Sequence, residues 1–170
     1  MVRTDKHDLE RSAYHEAGHA VAHYMGGIKF KYVEIYETPR KPFSFFPKAI
    51  RELKDVTLGG YVKQIRKKKI PIPSAIIIAM AGGCAEFIRD KRTKPLYNCC
   101  ADLEKMKEFF RGKEDFDVIF DTVKSLMMEK EAWCAVTALA KQLLIERKIP
   151  YKKAIQIIEN SSGEFRAERR

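Results

Sequence analysis

The sequence predicts a mainly α-helical domain of the α+β class, with a small β element of two or three strands beside the first helix. Apolar residues recur at helical spacing in most of the chain, whereas only two short segments show the two-residue alternation of a strand. The 170 residues, 45% of them hydrophobic, suffice for one domain with a buried core. We therefore expect a single domain over residues 1–160 and a disordered tail over residues 161–170.

The first half of the chain is expected to contain both strands and the two helices that flank them. The predicted elements are a helix over 8–25, strands over 31–37 and 56–65, and a helix over 74–90. Gly26 and Gly27 supply a stop for the first helix. Gly59 and Gly60 in the second strand indicate a bulge or a close approach by another backbone. The second helix is apolar and rich in small residues, so it should be central and tightly packed.

The second half of the chain is expected to be helical throughout. Helical periodicity is present over 101–110, 116–129, 132–146 and 151–159. Pro150 separates the last two of these segments, because proline cannot continue a helix whose backbone N–H it lacks. We therefore predict a C-terminal helical hairpin within about residues 116–160.

The composition indicates a cytoplasmic protein without an integral membrane segment. The N-terminal residues are hydrophilic and lack the apolar run of a secretory signal. The longest uncharged stretch, residues 70–85, is interrupted by prolines and glycines and is shorter than the ~20 residues that cross a bilayer. The four cysteines show no CxxC spacing, as expected for thiols in a reducing compartment.

The net charge of +10 comes partly from basic clusters at residues 66–69, 89–94 and 166–170. Such clusters can attract nucleic acid, but nucleic-acid-binding surfaces interleave basic with aromatic residues, and these clusters do not. We interpret them as solvated surface and do not expect a nucleic-acid ligand. Three phenylalanines within residues 43–46 form an aromatic cluster that indicates an interface, such as that of a homo-oligomer.

The motif HEAGH, residues 15–19 in the first predicted helix, carries the chemistry of the chain. His15 and His19 are four residues apart, which places them on one face of a helix, about 6 Å apart along its axis. Zinc binds neutral imidazole nitrogens, and a catalytic zinc has three protein ligands and one position for water. Glu16 projects beside such an ion, where it can accept a proton from the water and later deliver it to a leaving amine.

A third protein ligand must come from elsewhere in the chain. His23 lies two helical turns beyond His15, about 12 Å along the axis, so one straight helix cannot bring both to the same ion together with His19. Two acidic residues in apolar surroundings remain, Glu86 in the second helix and Asp102 at the start of the third. The residues alone leave both open.

Several segments resemble the peptidase domain of the FtsH-type ATP-dependent zinc metalloproteases. The string AYHEAGHAVAHY is similar to the zinc-binding helix of that family, AMAGGCAEFI to its AGRxAEE helix, and CCADLEKM to its GAxNDL segment. The stretch ALAKQLLIERKIPYKKAIQIIEN resembles its C-terminal helical hairpin. The resemblance covers roughly residues 11–160, and the interval from Ala81 to Asp102 agrees with the family's.

The resemblance implies a zincin-like fold and a zinc site completed by an aspartate. By matching position, Asp102 would join His15 and His19 as a ligand, with Glu16 as the catalytic carboxylate. Glu86 would then support the ligand helix without touching the ion. The stretch VTLGGYV occupies the place of the family's edge strand beside the cleft, where the backbone of a polypeptide substrate can add as a further strand.

The sequence contains no GxxxxGK[ST] phosphate loop, so the resemblance implies the peptidase in a stand-alone form without the AAA ATPase module. We therefore expect a soluble zinc-dependent endopeptidase of unfolded or flexible polypeptides. A separate ATPase that delivers substrates, or assembly into a homo-oligomer, would be its partners. The alternative is a proteolytically silent, zinc-containing interaction or regulatory module of the same fold. Glu16 favours the enzyme, because a silent module has no use for a water-activating carboxylate.

Overall fold

The computed structural model describes residues 6–39, 56–64, 70–92 and 113–161. These residues form five helices and three strands: α1 (Lys6–Met25), β1 (Phe30–Pro39), β2 (Val56–Gln64), α2 (Ile72–Arg89), α3 (Lys113–Met128), α4 (Lys130–Glu146), β3 (Lys148–Pro150) and α5 (Tyr151–Ser161). The described part of the chain is thus mainly helical, with one small antiparallel sheet, which confirms the predicted fold class at this level.

The sheet has the strand order β2-β1-β3, and both pairings are antiparallel. Val33 at the centre of β1 pairs with Val62 of β2 on one side and with Ile149 of β3 on the other. Val33, Ile35 and Ile149 are buried, whereas the intervening Tyr32 and Glu34 are partly exposed. This alternation follows from the two-residue period of a strand and places one face of the sheet on the helices.

Helix α1 packs against α2 at very short range. Gly18 of α1 allows this approach, because a Cβ atom at that position would lie 2.6 Å from the Ala81 carbonyl oxygen and 2.8 Å from the Ala85 Cβ. All residues of α2 from Ile78 to Glu86 are buried. The prediction that this helix is central and tightly packed is therefore confirmed.

Helices α3 and α4 contact the α1–α2 pair through aromatic side chains. On α3, Phe120 packs edge-on against Phe87 of α2, with the ring centroids 5.7 Å apart. On α4, Trp133 contacts Tyr14 of α1 at a centroid distance of 5.8 Å. These contacts anchor α3 to α2 and α4 to α1.

The ends of the observed helices and strands agree with the predicted ends to within three residues. Strand β3 was not predicted, because three residues that end in Pro150 are too few to show a strand period. Arg147, which precedes β3, has a φ of 62° and ends α4 in a left-handed turn. The predicted helix over 101–110, the aromatic cluster within 43–46 and the tail beyond Ser161 lie outside the described residues.

Helix α2 is the one described helix that is long and apolar enough to cross a membrane, with a mean hydropathy of 1.4 over 18 residues. Its buried residues pack against α1 and α3, and they include a charged side chain, Glu86. A core helix shows the same length and composition. Within the described residues, this single helix is consistent with the expectation that the chain has no integral membrane segment.

Candidate metal centre

Helix α1 presents His15 and His19 on the face that meets α2. Their rings stand edge to face, with centroids 4.6 Å apart and an interplanar angle of 78°. The two Nε2 atoms are 2.9 Å apart. His19 is 7% exposed and His15 is partly buried, so the Nε2 atoms meet at the margin of the core. The predicted shared face of the two histidines is therefore present in the structure.

The other ring nitrogen of each histidine is held by an acceptor on α2. His15 Nδ1 lies 2.6 Å from Glu86 Oε1, and His19 Nδ1 lies 2.6 Å from the carbonyl oxygen of Ile78. A carbonyl oxygen and a carboxylate can only accept, so both Nδ1 atoms act as donors. A neutral imidazole that donates from Nδ1 has a lone pair on Nε2. Both lone pairs therefore point into the same small space.

The two Nε2 atoms are 2.9 Å apart, so their lone pairs repel each other unless a positively charged species lies between them. A shared proton or a metal ion can supply it. In a tetrahedral zinc site with Zn–N bonds of about 2.0–2.1 Å, two imidazole nitrogens are about 3.3 Å apart. An opening of a few tenths of an ångström would accommodate the ion. The paired Nδ1 donors match what metal-binding histidines require, because a fixed Nδ1–H orients Nε2 toward the metal.

Gly82 of α2 lies directly beside the two Nε2 atoms. A Cβ at this position would lie 2.5 Å from His19 Nε2 and 2.7 Å from His15 Nε2. Glycine is otherwise unfavourable in a helix interior, by roughly 1 kcal/mol relative to alanine. Here the missing side chain leaves space beside the nitrogens. The donor set and this cradle both fit a metal ion.

Glu16 lies next to the histidines and is 5% exposed. Its side chain packs against the backbone of β2: a Cβ at Gly60 would collide with Glu16 Cγ and lie 2.8 Å from Cδ. The predicted close approach of another backbone to Gly60 is confirmed, because the same Cβ would lie 2.7 Å from the Glu34 carbonyl oxygen of β1; the Glu16 side chain approaches as closely. The strand pairing is continuous through Gly60, so no bulge lies there. The one shift of register between β1 and β2 lies in β1, between Phe30 and Tyr32. Strand β2 therefore passes directly over the Glu16 carboxylate.

Glu86 is buried between a histidine and an arginine. Its Oε1 accepts from His15 Nδ1, and its Oε2 accepts from Arg11 Nε at 3.1 Å and from Arg11 Nη2 at 3.0 Å. The carboxylate thus contacts the His15 nitrogen that faces away from His19. In this arrangement Glu86 orients a histidine instead of standing beside the two Nε2 atoms.

Asp102, the third predicted ligand, lies outside the described residues. Among the residues that the structure describes, no group of three or more His, Cys, Asp or Glu side chains could hold a metal ion. The structure thus brings His15 and His19 together with Glu16 nearby. His23 is 1% exposed and packs edge-on against Phe30, with ring centroids 5.8 Å apart. It belongs to the core beneath β1. This position agrees with the expectation that His23, two helical turns beyond His15, does not share an ion with His15 and His19.

Sequence reasoning missed two residues of this centre, Arg11 and Gly82. Arg11 lies four residues before His15 and so shares its helix face, which was a usable signal. Gly82 could have been noticed as a glycine inside an otherwise regular helix, which calls for a packing reason. The Ile78 carbonyl left no signal, because a backbone acceptor is independent of the side chain.

A comparison of the chain with known protein families and with curated proteins finds no match.

The cradle at Gly82 can be tested by Gly82→Ala. We expect zinc affinity to fall at least about tenfold, because the new methyl group would occupy the space beside both Nε2 atoms. Competitive titration against a zinc chelator measures this. Gly26→Ala, at the end of α1, is the control and should keep wild-type affinity. Unchanged zinc binding by Gly82→Ala would contradict a metal site beside Gly82.

Burial of His23 predicts a pH-dependent stability. The pKa of His23 is lowered from 6.5 to about 4, mainly by burial and to a lesser extent by the charge of His19. A hydrogen bond with the Ile28 backbone raises the pKa by a smaller amount. Between these values the unfolded chain binds the proton and the folded chain does not. The free energy of unfolding should therefore fall as the pH drops from 6.5 toward 4.

His23→Leu removes the titrating group and replaces it with an apolar side chain of similar size. The stability of the variant should not depend on protonation at this position, so its stability relative to wild type improves by about 2 kcal/mol between pH 7 and pH 5. Urea unfolding in metal-free buffer at both pH values measures the difference. Parallel pH profiles for the two proteins would show that His23 does not titrate in this range.

Proposed function

We propose that this chain is a zinc-dependent endopeptidase that hydrolyses peptide bonds of unfolded or flexible polypeptides, with a zincin-like fold like that of the FtsH-type peptidases. The observation that carries the proposal is the convergence of His15 Nε2 and His19 Nε2, 2.9 Å apart, beside the buried Glu16. A helix with this motif and this geometry supplies two ligands and a base from one segment of chain.

His15, His19 and Asp102 would hold the zinc ion. The two histidines offer neutral nitrogens whose orientation is set by Glu86 and Ile78. Asp102 is assigned by its position in the segment that resembles the family's aspartate motif. Support for Asp102 over Glu86 comes from the carboxylate of Glu86, which is engaged by Arg11 and by the far nitrogen of His15.

When bound, zinc would act as a Lewis acid that lowers the pKa of a water molecule and polarises the scissile carbonyl group. Glu16 accepts a proton from the attacking water and transfers it to the amine that leaves. Because Glu16 is buried against Gly60, its carboxylate is held in place on the β2 side of the histidines. A fixed base reduces the reorganisation needed at the moment of reaction.

The substrate would lie along β2. Within the described residues, β2 pairs with β1 on one side and with no strand on the other, so its outer edge offers backbone donors and acceptors. A polypeptide that adds there as a strand must be extended and unfolded locally. Because Gly60 touches Glu16, such a strand would pass close to the base. This favours flexible polypeptides over folded proteins as substrates.

Glu16→Gln tests the proposed catalysis. We expect purified wild type and Glu16→Gln to contain equal zinc, whereas only wild type cleaves unfolded casein, because the amide cannot accept the proton. The loss should be at least about 100-fold, the range typical of a general base. Glu10→Gln removes a carboxylate from the same helix and should retain cleavage. Stoichiometric zinc in a wild type that cleaves no unstructured substrate would favour the silent module.

Asp102→Ala and Glu86→Ala test the ligand assignment. We expect Asp102→Ala to reduce zinc affinity more than Glu86→Ala, because the first removes a bond to the ion and the second removes the orientation of one ligand, worth about 10–100-fold. Chelator competition compares the two variants, with thermal unfolding as the check of folding. A larger loss in Glu86→Ala would make Glu86 the ligand.

A further inference from the structure

Arg11 lies one helical turn before His15 on α1 and extends across the helix interface to Glu86 on α2. Two of its nitrogens, Nε and Nη2, donate to the same oxygen, Glu86 Oε2, at 3.1 and 3.0 Å. The side chain of Glu86 is 7% exposed and that of Arg11 is 36% exposed. The arginine thus reaches a buried carboxylate from the protein surface.

The carboxylate connects Arg11 to His15. Glu86 Oε1 accepts from His15 Nδ1 at 2.6 Å, while Oε2 is held by the arginine. A buried charge is costly unless it is paired and hydrogen-bonded, and the planar guanidinium meets this need from a fixed direction. With both oxygens engaged, rotation of the carboxylate would break contacts on each side. The plane of Glu86, and through it the His15 ring, is therefore constrained.

The constraint acts on the atom that matters for binding. If the hydrogen bond to Nδ1 shifts, the imidazole ring turns and its Nε2 atom moves. In His15 this is the atom that lies 2.9 Å from His19 Nε2. His19 has its own constraint in the Ile78 carbonyl oxygen. His15 depends on a side chain, which can rotate, so it needs a further support that His19 does not.

We propose that Arg11 is a positioning residue for metal binding, which holds the His15 imidazole toward the ion through Glu86. The proposal rests on the proposed zinc site but not on peptidase activity. It assigns Arg11 a role beyond linking the two helices, and it predicts that a positive charge alone does not replace it. Lysine presents a single ammonium on a flexible stem and cannot donate twice to one oxygen with the same planar geometry.

Arg89 provides a matched comparison. It also forms an ion pair across the α1–α2 interface, between its Nη2 and Glu10 Oε2 at 2.6 Å, and its guanidinium carbon lies 4.9 Å above the Tyr14 ring centroid. Both arginines therefore join the same two helices. Only Arg11 is connected to a histidine of the centre through its carboxylate.

The experiment compares Arg11→Met, Arg11→Lys and Arg89→Met in the full chain. Zinc affinity is measured by chelator competition, the ligand geometry by the visible absorption of bound Co²⁺, and folding by thermal unfolding. We expect both Arg11 variants to bind zinc about 10-fold or more weakly and to shift the Co²⁺ spectrum. Arg89→Met should lower the unfolding temperature but keep the wild-type affinity and spectrum.

The outcomes separate this inference from the proposed function. Wild-type zinc affinity and Co²⁺ spectrum in Arg11→Met, or equal losses in Arg11→Met and Arg89→Met, would overturn the role of Arg11. Wild-type zinc affinity and Co²⁺ spectrum in Arg11→Lys would show that a positive charge alone suffices at position 11, which would also overturn the positioning role. A wild type that binds neither metal would overturn both proposals. A wild type that binds zinc without cleaving casein overturns only the peptidase.

Discussion

The close contact between α1 and α2 is the constraint on which the rest of the molecule depends. Where Gly18 meets Ala81, the two helices are too close for any side chain larger than hydrogen on α1. Only at this separation do the rings of His15 and His19 reach acceptors on α2. The small residues of α2 are therefore a condition of the site's geometry, and the aromatic contacts of α3 and α4 preserve it from outside.

The sheet contributes the other wall of the centre. Strand β1 is buried through Val33 and Ile35, and it carries β2 across the helix so that Gly60 rests on Glu16. One glycine on each side thus marks the two places where backbone meets a functional side chain: Gly82 at the histidines and Gly60 at the carboxylate. The candidate site lies between the apolar helix α2 and strand β2, and the side chains of His15, His19 and Glu16 lie between these two elements.

Much of this arrangement could be predicted from the sequence, because it depends on local periodicity. The spacing of His15 and His19 determines their shared face whatever surrounds them, and the apolar run of α2 predicts a central helix. Contacts between distant segments left weaker signals. Strand β3 forms only because β1 offers it an edge, and Arg147 turns the chain into it. Similarly, no local pattern predicts that a carbonyl oxygen of α2 will orient His19.

The two histidines differ in what holds them, and this gives them unequal robustness to mutation. The partner of His19 is a main-chain oxygen, which every residue type at position 78 would provide. The partner of His15 is a carboxylate, which a single substitution at position 86 removes. Sequence drift can therefore alter one imidazole while leaving the other in place. If the proposed metal site changes its preference between ions, substitutions that reorient His15 are the ones through which the change would act.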